Sequence, residues 1–522
     1  PTYTDIYGSP PPRELDLISG YSTEMMINLA AMINSQLYLN DSSLSNQKNI
    51  LSFLLRRQQK AYQKKIFTAL NRLEAKRSHS EPIHNNLNIF TRHYLLNFIS
   101  FLYHNSNNII HRDEDTSFEL NFFEAYLCHV QKITSGFKTT EDGSDQFCWF
   151  RKNIWPSLVS QIHSNTFLKP FDSFVKGLIF LNYLINHSEY KEITKDFLKS
   201  LNMDSPKQYS FKIIQAVSPA WKKTNGHDFK QCVLNYDNPL FKGLALPKKP
   251  SDEYLTMDFY SLIKSKPLIQ YTDHSFIVLD WDFLVNKLYD GLIYDFYFNS
   301  KISTLKKFPS FLYFKRFTSI EITEKQTLKK IVKSIFTKTS FVAFDEGKGG
   351  PDSYVRIGKY IFIFEIKDAY FASKAVLSKE HQAIKEEIDK KYNTKKIGDK
   401  KNKGVWQLLN SIKQCKADSL EEKTFKEQGL KHRNLVIYPV LIYTDKTFST
   451  PGIGQYLIEE FDKGIEMLSL QNTFQQIKTL SFIHVDFFLE NLNILSRKET
   501  SLKFFIDSYI KRRKKLLKNL NH

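Results

Sequence analysis

The 522-residue chain is predicted to be a mixed protein of the α+β or α/β class, with a mainly helical N-terminal region followed by a core of order α-β-β-β-α-β that carries additional helices. Three observations predict this. Apolar residues recur at helical spacing over much of residues 23–201. Beyond residue 316, short strand-like runs lie between amphipathic helical patterns. A polar, turn-rich stretch at 226–250 separates the two kinds of pattern, as a linker would.

The predicted domain organisation follows these changes of pattern, and the length favours about three domains. We expect a mainly helical, basic region at 1–240 that serves recognition or regulation. A connecting segment of mixed elements follows at 241–316, including a strand-like run at 275–279. Residues 317–522 are predicted to form the last domain, with helical additions at its C-terminal end.

The composition is that of a globular protein, with 42% hydrophobic and 25% charged residues. The four cysteines are scattered without metal-ligand spacing, which favours reduced core thiols in a reducing cytosol. No apolar stretch approaches the ~20 residues that a membrane span requires, and the first residues contain no signal-peptide pattern. We therefore expect a soluble, cytoplasmic protein without a membrane partner.

The formal charge of +19 favours a polyanionic partner, and nucleic acid over membrane surfaces or acidic proteins. Much of the charge lies at 54–77, a predicted basic amphipathic helix. This helix is expected either to face phosphates or to be an ordinary solvated helix face. In the first interpretation its nucleic-acid contacts are Arg56, Arg57, Lys64 and Lys65.

The elements of the core are predicted in order from residue 322. Gly358 and Lys359 form a two-residue reversal between two of the strands. The predicted elements are a helix at 322–337 with Thr323 as its N-cap, a strand at 340–344, a turn at 347–350, strands at 353–357 and 360–367, a helix at 405–416 and a strand at 435–443.

The strand at 360–367 carries two charged side chains on one face. Because strand side chains alternate, Phe364 and Ile366 share one face, whereas Glu365 and Lys367 share the other. The reversal also brings Asp352, just before the preceding strand, to the same end of the hairpin as Glu365. The two carboxylates are therefore expected to converge on one divalent ion, because Mg²⁺ prefers oxygen ligands.

The sequence Pro351-Asp352, a 12-residue gap and then Glu365-Ile366-Lys367 resembles the PD-(D/E)XK nuclease superfamily. The predicted α-β-β-β-α-β order is similar to its restriction-endonuclease-like core. The resemblance implies that Asp352, Glu365 and the Ile366 carbonyl bind Mg²⁺, with Mn²⁺ as an alternative. It also implies that Lys367 positions the attacking water and stabilises charge on the phosphoryl oxygens.

Further roles are implied by the same resemblance. Glu324 matches an acidic metal ligand on the first helix, and Gln407 matches a glutamine that supports the catalytic site from the following helix. Lys348, in the turn before Pro351, is placed to contact a phosphate. A structural Glu–Lys pair beside a turn-capping aspartate is the competing interpretation of the motif.

An insertion of 36 residues separates Lys367 from Gly404. It contains a charged helical pattern and then a basic run, which is expected to clamp nucleic acid beside the metal site or to be a solvated surface loop. The basic helix predicted at 501–522 has the same two interpretations. The insertion's expected nucleic-acid contacts are Lys395, Lys396, Lys400 and Lys401.

These inferences predict a Mg²⁺-dependent endonuclease that hydrolyses DNA rather than RNA, of the restriction or anti-phage defence kind. Two alternatives stay open: a nucleic-acid-binding subunit whose nuclease core is vestigial, and an interaction protein whose charge serves assembly. The sequence also leaves open a protein partner or a homo-oligomer.

Overall fold

The structure, a computed structural model, describes most of the chain. The residues outside the description are 40–42, 81–86, 108–115, 138–145, 165–168, 222–231, 236–237, 249, 337–340, 345–349, 396–401, 417–428, 499 and 521–522. The chain forms two compact units, each with its own sheet. The first unit comprises Pro1–Lys138 and Phe167–Pro309, and the second comprises Thr139–Thr166 and Ser310–His522.

This division differs from the boundaries predicted at residues 240 and 316. Residues 241–309 belong to the first unit, and residues 139–166, which include the helix Gln146–Ser164, belong to the second. This helix packs against the helices Ser373–Leu377 and His381–Tyr392 and the 3-10 turn Lys446–Ser449. A helical pattern shows which face of a segment is apolar but not which distant elements cover that face, so the sequence does not show that this helix belongs to the second unit.

The first unit is mainly helical. Its sheet has the order β1-β4-β3-β2, where β1 is Val233–Asn235, β2 is Ala245–Leu246, β3 is Leu268–Thr272 and β4 is Ser275–Val278, the last as predicted. Its α-helices are Tyr3–Tyr7, Glu14–Ile18, Thr23–Leu39, Leu44–Leu54, Lys60–Ser80, Arg92–His104, Phe118–Ser135, Pro170–Asn186, Lys191–Ser200, Pro206–Trp221, Pro239–Gly243, Asp252–Leu255, Phe259–Ser265, Trp281–Asn286 and Asp290–Asn299, with a 3-10 turn at Lys301–Thr304.

A buried ionic network holds the first unit together. The guanidinium of Arg92 donates to Asp280 at 2.6 Å and to Asp282 at 3.1 Å. Asp280 also accepts from the side chain of Asn34 at 3.1 Å and from the backbone of Phe283 at 2.9 Å, the latter as the N-cap of the helix Trp281–Asn286. Burial acts to lower the pKa of Arg92, but the two aspartates raise it above its usual value.

The second unit is built on a mixed sheet. Its strands follow the order β10-β8-β7-β6-β5, and β9 pairs with β8. The pairs β5–β6 and β6–β7 are antiparallel, whereas β7–β8, β8–β9 and β8–β10 are parallel. The strands are β5 Phe341–Phe344, β6 Ser353–Ile357, β7 Tyr360–Lys367, β8 Val436–Tyr443, β9 Gln476–Ile477 and β10 Ser481–His484.

Helices cover both faces of this sheet. On one face, Phe362, Phe364 and Ile366 pack in a core with the helices Lys329–Ile335 and Ser501–Leu520. On the other face, the helix Val405–Lys416 packs against β7 and β8. The remaining described helices of the unit are Gln146–Ser164, Phe311–Thr318, Ser373–Leu377, His381–Tyr392, Ile453–Met467, Val485–Glu490 and Leu492–Leu495, with 3-10 turns at His432–Asn434 and Lys446–Ser449.

The order α-β-β-β-α-β is present, but the first helix differs from its prediction. The chain is already helical from Phe311, and a π-helical segment, Ser319–Leu328, continues into Lys329–Ile335. The prediction that Thr323 caps this helix is therefore wrong. Its hydroxyl instead donates to the carboxylate of Asp368 at 2.6 Å, a contact 45 residues away that local spacing does not reveal.

Two other features bear on the predictions. Cys128, Cys232 and Cys415 are buried, Cys148 is half-buried, and all four are free thiols. Among the described residues, no helix combines the length and apolar character that crossing a membrane requires.

Candidate active site

The β6–β7 hairpin brings Asp352 to Glu365, as predicted. Ser353 pairs with Phe364, so Asp352 and Glu365 come next at the same end of the hairpin. The reversal contains Gly358, whose φ of +54° is a conformation that favours glycine. A carboxylate oxygen of Asp352 accepts from the backbone N–H of Ile366 at 2.7 Å. The Asp352 side chain is therefore held against the end of the strand that carries Glu365.

Glu365 is completely buried, because the helix Val405–Lys416 covers its face of β7. Its Oε1 accepts from Lys367, but its Oε2 is buried without a hydrogen-bond partner. Burial raises the pKa of Glu365 to about 8, against the influence of Lys367 and with a contribution from Asp352. An unsatisfied buried carboxylate oxygen is costly, and this atom is an available acceptor for a cation or a hydrogen-bond donor.

Lys367 lies at the edge of this site. Its ammonium is 2.5 Å from Glu365 Oε1, and its side chain is 19% exposed, so it joins the buried carboxylate to solvent. Burial acts to lower the pKa of Lys367, but the surrounding carboxylates, led by Glu365, raise it above its usual value. Lys367 is therefore a charged donor rather than a base.

The charge of Glu324 acts on both Glu365 and Lys367. This residue lies half-buried on the π-helical segment, and its carboxylate contributes to raising the pKa of both Glu365 and Lys367. π-helical turns recur at functional sites, where they re-aim side chains. The structure thus brings Glu324 near the predicted centre.

Asp368 anchors the end of β7, a role that the sequence did not suggest. Its carboxylate accepts from the Lys315 ammonium at 2.7 Å, the Thr323 hydroxyl at 2.6 Å and the Thr444 hydroxyl at 2.9 Å. Burial acts to raise the pKa of Asp368, but these donors, led by Lys315, lower it below its usual value. The residue next to Lys367 is thereby fixed to two helical segments and to the end of β8.

The donors fit a small divalent cation. Glu365 Oε2 is an acceptor without a partner, Asp352 is adjacent, and the Ile366 carbonyl faces the Asp352 side because the N–H and C=O of one strand residue point the same way. Within the described part of the chain, no three His, Cys, Asp or Glu side chains are grouped to hold a metal. One or two carboxylates with waters are nevertheless the usual protein ligands of Mg²⁺.

The insertion supplies a further cation, Lys403, whose ammonium donates to the Lys390 carbonyl at 3.4 Å. Burial, followed by the charges of Lys391 and Lys367, lowers the pKa of Lys403. The insertion is pinned where it re-enters the fold, because the Lys403 N–H donates to the Thr394 carbonyl at 2.9 Å. A Cβ on Gly404 would lie 2.2 Å from the Tyr392 carbonyl oxygen. Lys403 stands in the basic run before the helix, and that run is the signal that could have indicated it.

The other residues of this unit that were predicted to support the site or to contact nucleic acid make contacts within the unit or lie outside the description. The Gln407 carboxamide oxygen accepts from the Gly404 N–H at 3.0 Å, so it caps its own helix, and support of the catalytic site from Gln407 stays a prediction. Lys395 lies 4.6 Å above the ring of Trp406. The remaining predicted contacts lie outside the described residues: Lys348, Lys396, Lys400 and Lys401.

The basic side chains predicted in the first unit fall into two groups. Arg56 donates to Glu119 at 2.7 Å, and Arg57 lies 3.9 Å from the same carboxylate. Lys64 and Lys65 are exposed on the helix Lys60–Ser80. The arginines are thus engaged within the fold, whereas the lysines face solvent.

Comparison of the chain with protein-family models, with curated proteins and with solved structures finds no match.

Proposed function

We propose that this chain is a metal-dependent nuclease with a PD-(D/E)XK, restriction-endonuclease-like core, which hydrolyses phosphodiester bonds in DNA. The observation that carries the proposal is the buried Oε2 of Glu365, which lacks a hydrogen-bond partner at the point where Asp352 and Lys367 meet. A fold that keeps a buried acceptor unsatisfied sacrifices stability at that position, as functional sites commonly do.

Each residue then has a separate task. Asp352, Glu365 and the Ile366 carbonyl would hold Mg²⁺ or Mn²⁺, and Glu324 would add negative charge to the same site. The bound ion supplies Lewis acidity, which activates water and offsets phosphate charge. Lys367 donates hydrogen bonds to the attacking water and to the phosphoryl oxygens on which negative charge develops. Asp368 holds the end of β7 in place and so positions the neighbouring Lys367.

The preference for DNA and a restriction or anti-phage defence role rest on analogy with the superfamily. In this proposal the helical first unit serves recognition or regulation. The net charge of +19 supports a nucleic-acid substrate, because phosphate neutralisation by basic residues releases counterions.

A second candidate is a nucleic-acid-binding subunit with a vestigial core. The observation that favours it is the ion pair between Lys367 and Glu365. In an inactive core this pair would be a structural Glu–Lys contact that already neutralises the buried carboxylate.

Cleavage of supercoiled and linear DNA tests the proposal. Wild type, Lys367→Ala and a matched control, Lys463→Ala, are compared in Mg²⁺, Mn²⁺ and a chelator. Lys463 is an exposed lysine of the same unit that pairs only with the nearby Glu460 among the described residues. We expect metal-dependent cutting by wild type and the control, and none by Lys367→Ala.

The other outcomes separate the alternatives. Equal cutting by wild type and Lys367→Ala would show that the active site lies elsewhere or that the activity is a contaminant. No cutting by any of the three proteins, with DNA binding intact, would support the vestigial core.

A further inference from the structure

A basic groove lies in the first unit, between the helices Tyr3–Tyr7 and Lys60–Ser80. Its volume is about 610 Å³. Three cationic side chains line it, Lys64, Lys65 and Arg72, and no acidic residue does. A concave surface with several positive charges and no negative one is complementary to an anion.

The three cations are available to a ligand. All three are exposed, and none forms an ion pair within the described residues. The neighbouring acids are engaged elsewhere: Glu74 pairs with Lys48 at 3.0 Å, and Glu124 accepts from the Tyr62 hydroxyl at 2.9 Å. In the part of the chain that the structure describes, neither acid therefore pairs with a cation of the groove.

The spacing of the basic residues indicates more than one phosphate. Lys64, Thr68 and Arg72 stand at i, i+4 and i+8, on one face of the helix Lys60–Ser80. At 1.5 Å of rise per residue, Lys64 and Arg72 are about 12 Å apart along the axis. This row is longer than a single phosphate group needs and matches consecutive phosphates of a strand, with the Thr68 hydroxyl as an additional donor.

The floor of the groove is neutral and held in place. The Tyr7 hydroxyl lies 3.0 Å from the Tyr62 hydroxyl, which donates in turn to Glu124. Burial, followed by the charge of Glu124, raises the pKa of Tyr7 above its usual value, so the phenol does not ionise beside the ligand. Tyr7 thus ties the short helix Tyr3–Tyr7 to the basic helix, so the two helices that border the groove are held together.

We propose that this groove binds the phosphate groups of a nucleic-acid strand through Lys64, Lys65 and Arg72. It is a site of its own on the first unit and requires only phosphate binding, so it stands independently of the proposed nuclease chemistry. Arg56 and Arg57 are not part of this proposed site, because both lie against the carboxylate of Glu119.

The test is the salt dependence of oligonucleotide binding by the full chain in a chelator, where no metal-dependent cleavage takes place. Fluorescence anisotropy gives the Kd between about 50 and 200 mM salt. The slope of log affinity against log salt changes by about 0.7 per phosphate contact for a single strand and about 0.9 for a duplex. We expect it to become shallower by about 2 to 3 in Lys64→Ala/Lys65→Ala/Arg72→Ala.

A matched control removes the same amount of charge elsewhere in the first unit. Lys191→Ala/Lys199→Ala/Lys207→Ala changes three exposed lysines that line no part of the groove. We expect its slope to change by less than about 1. The charge-conserving Lys64→Arg/Lys65→Arg/Arg72→Lys should keep the wild-type slope, and circular dichroism verifies that every variant folds.

Two results would overturn the proposal. One is an equal change of slope in the groove variant and the matched control, which would mean that only net charge matters. The other is calorimetric binding of inorganic triphosphate that the groove variant loses while it keeps oligonucleotide binding. That result would assign the groove to a small polyphosphate. Lys463→Ala, which lies in neither the groove nor the candidate active site, should retain the wild-type slope. Because binding is measured in a chelator and needs no cleavage, failure of the nuclease proposal remains distinguishable.

Discussion

Each unit of this protein buries a carboxylate against a cation, but of the two carboxylates, Asp280 and Glu365, only Asp280 has both oxygens hydrogen-bonded. In the first unit, Asp280 is completely buried, and both of its oxygens accept hydrogen bonds, from Arg92, Asn34 and the backbone of Phe283. In the second unit, Glu365 is equally buried, yet one of its oxygens accepts from Lys367 and the other has no partner.

This difference in hydrogen bonding distinguishes the structural cluster around Asp280 from the candidate functional cluster around Glu365. Burial of a charge is tolerated when hydrogen bonds compensate for lost hydration, as around Asp280. Around Glu365 the compensation is incomplete, and its pKa is raised to about 8. Burial alone therefore does not identify a site. Our proposal rests instead on an incompletely bonded acid that meets Asp352 and reaches solvent through Lys367.

The largest expected effect is on the structural cluster. Asp280→Asn should lower the free energy of unfolding by about 3–5 kcal/mol, because it leaves the guanidinium of Arg92 buried without its main countercharge. Urea denaturation measures the change. Asp204→Asn, at an exposed position of the same unit, should stay within about 0.5 kcal/mol of wild type. An Asp280→Asn protein as stable as wild type would remove the contrast between the clusters.

The next effect is on activity rather than stability. Glu365→Gln should lower the metal-dependent cleavage rate by at least about 10²-fold, equivalent to about 2.7 kcal/mol. Its free energy of unfolding should fall by less than about 1 kcal/mol near pH 7, because Glu365 is protonated and neutral in the fold below about pH 8, as the amide is. Cleavage assays and urea denaturation are run on the same preparation. Glu466→Gln, an exposed acid of the same unit, is the control and should change neither quantity.

Metal binding should stabilise the second unit, and this effect is measured without a cleavage assay. A free Mg²⁺ or Mn²⁺ concentration tenfold above the Kd contributes about 1.4 kcal/mol, which corresponds to a rise in Tm of roughly 3–6 °C for a unit of this size. Differential scanning fluorimetry measures the shift. Glu365→Gln should show none, and a chelator should reverse it. An equal shift in both proteins would place the ion elsewhere.

A last expected effect is a dependence of stability on pH in the chelator. Folded Glu365 keeps its proton up to about pH 8, whereas a glutamate in the unfolded chain releases its proton near pH 4.3. Between these values the folded state binds more protons than the unfolded state, so stability falls as pH rises. From about pH 5 to 8 wild type should lose about 3–4 kcal/mol relative to Glu365→Gln, because each pH unit in this window changes the difference by about 1.4 kcal/mol. Parallel curves for the two proteins would contradict the raised pKa.

Much of the candidate site was predictable because its geometry is local. The bounds of β6, of β7 and of the helix Val405–Lys416 agree with the sequence prediction. A period of two places Glu365 beside Lys367, and a two-residue reversal containing Gly358 brings Asp352 back to them. These relations span fewer than about 20 residues and depend on backbone geometry that short patterns encode.

Which of these polar groups are hydrogen-bonded depends on long-range packing. The bonds from Lys315, Thr323 and Thr444 to Asp368 cross up to 76 residues of sequence, and so did not appear in any local pattern. The same holds for the pairing of Arg56 with Glu119 and for the unpaired Oε2 of Glu365. Local patterns in the sequence predicted the hairpin and the positions of its charged residues. Long-range packing decided their burial and bonding, because hydrogen bonds and desolvation depend on neighbours that only the folded chain brings together.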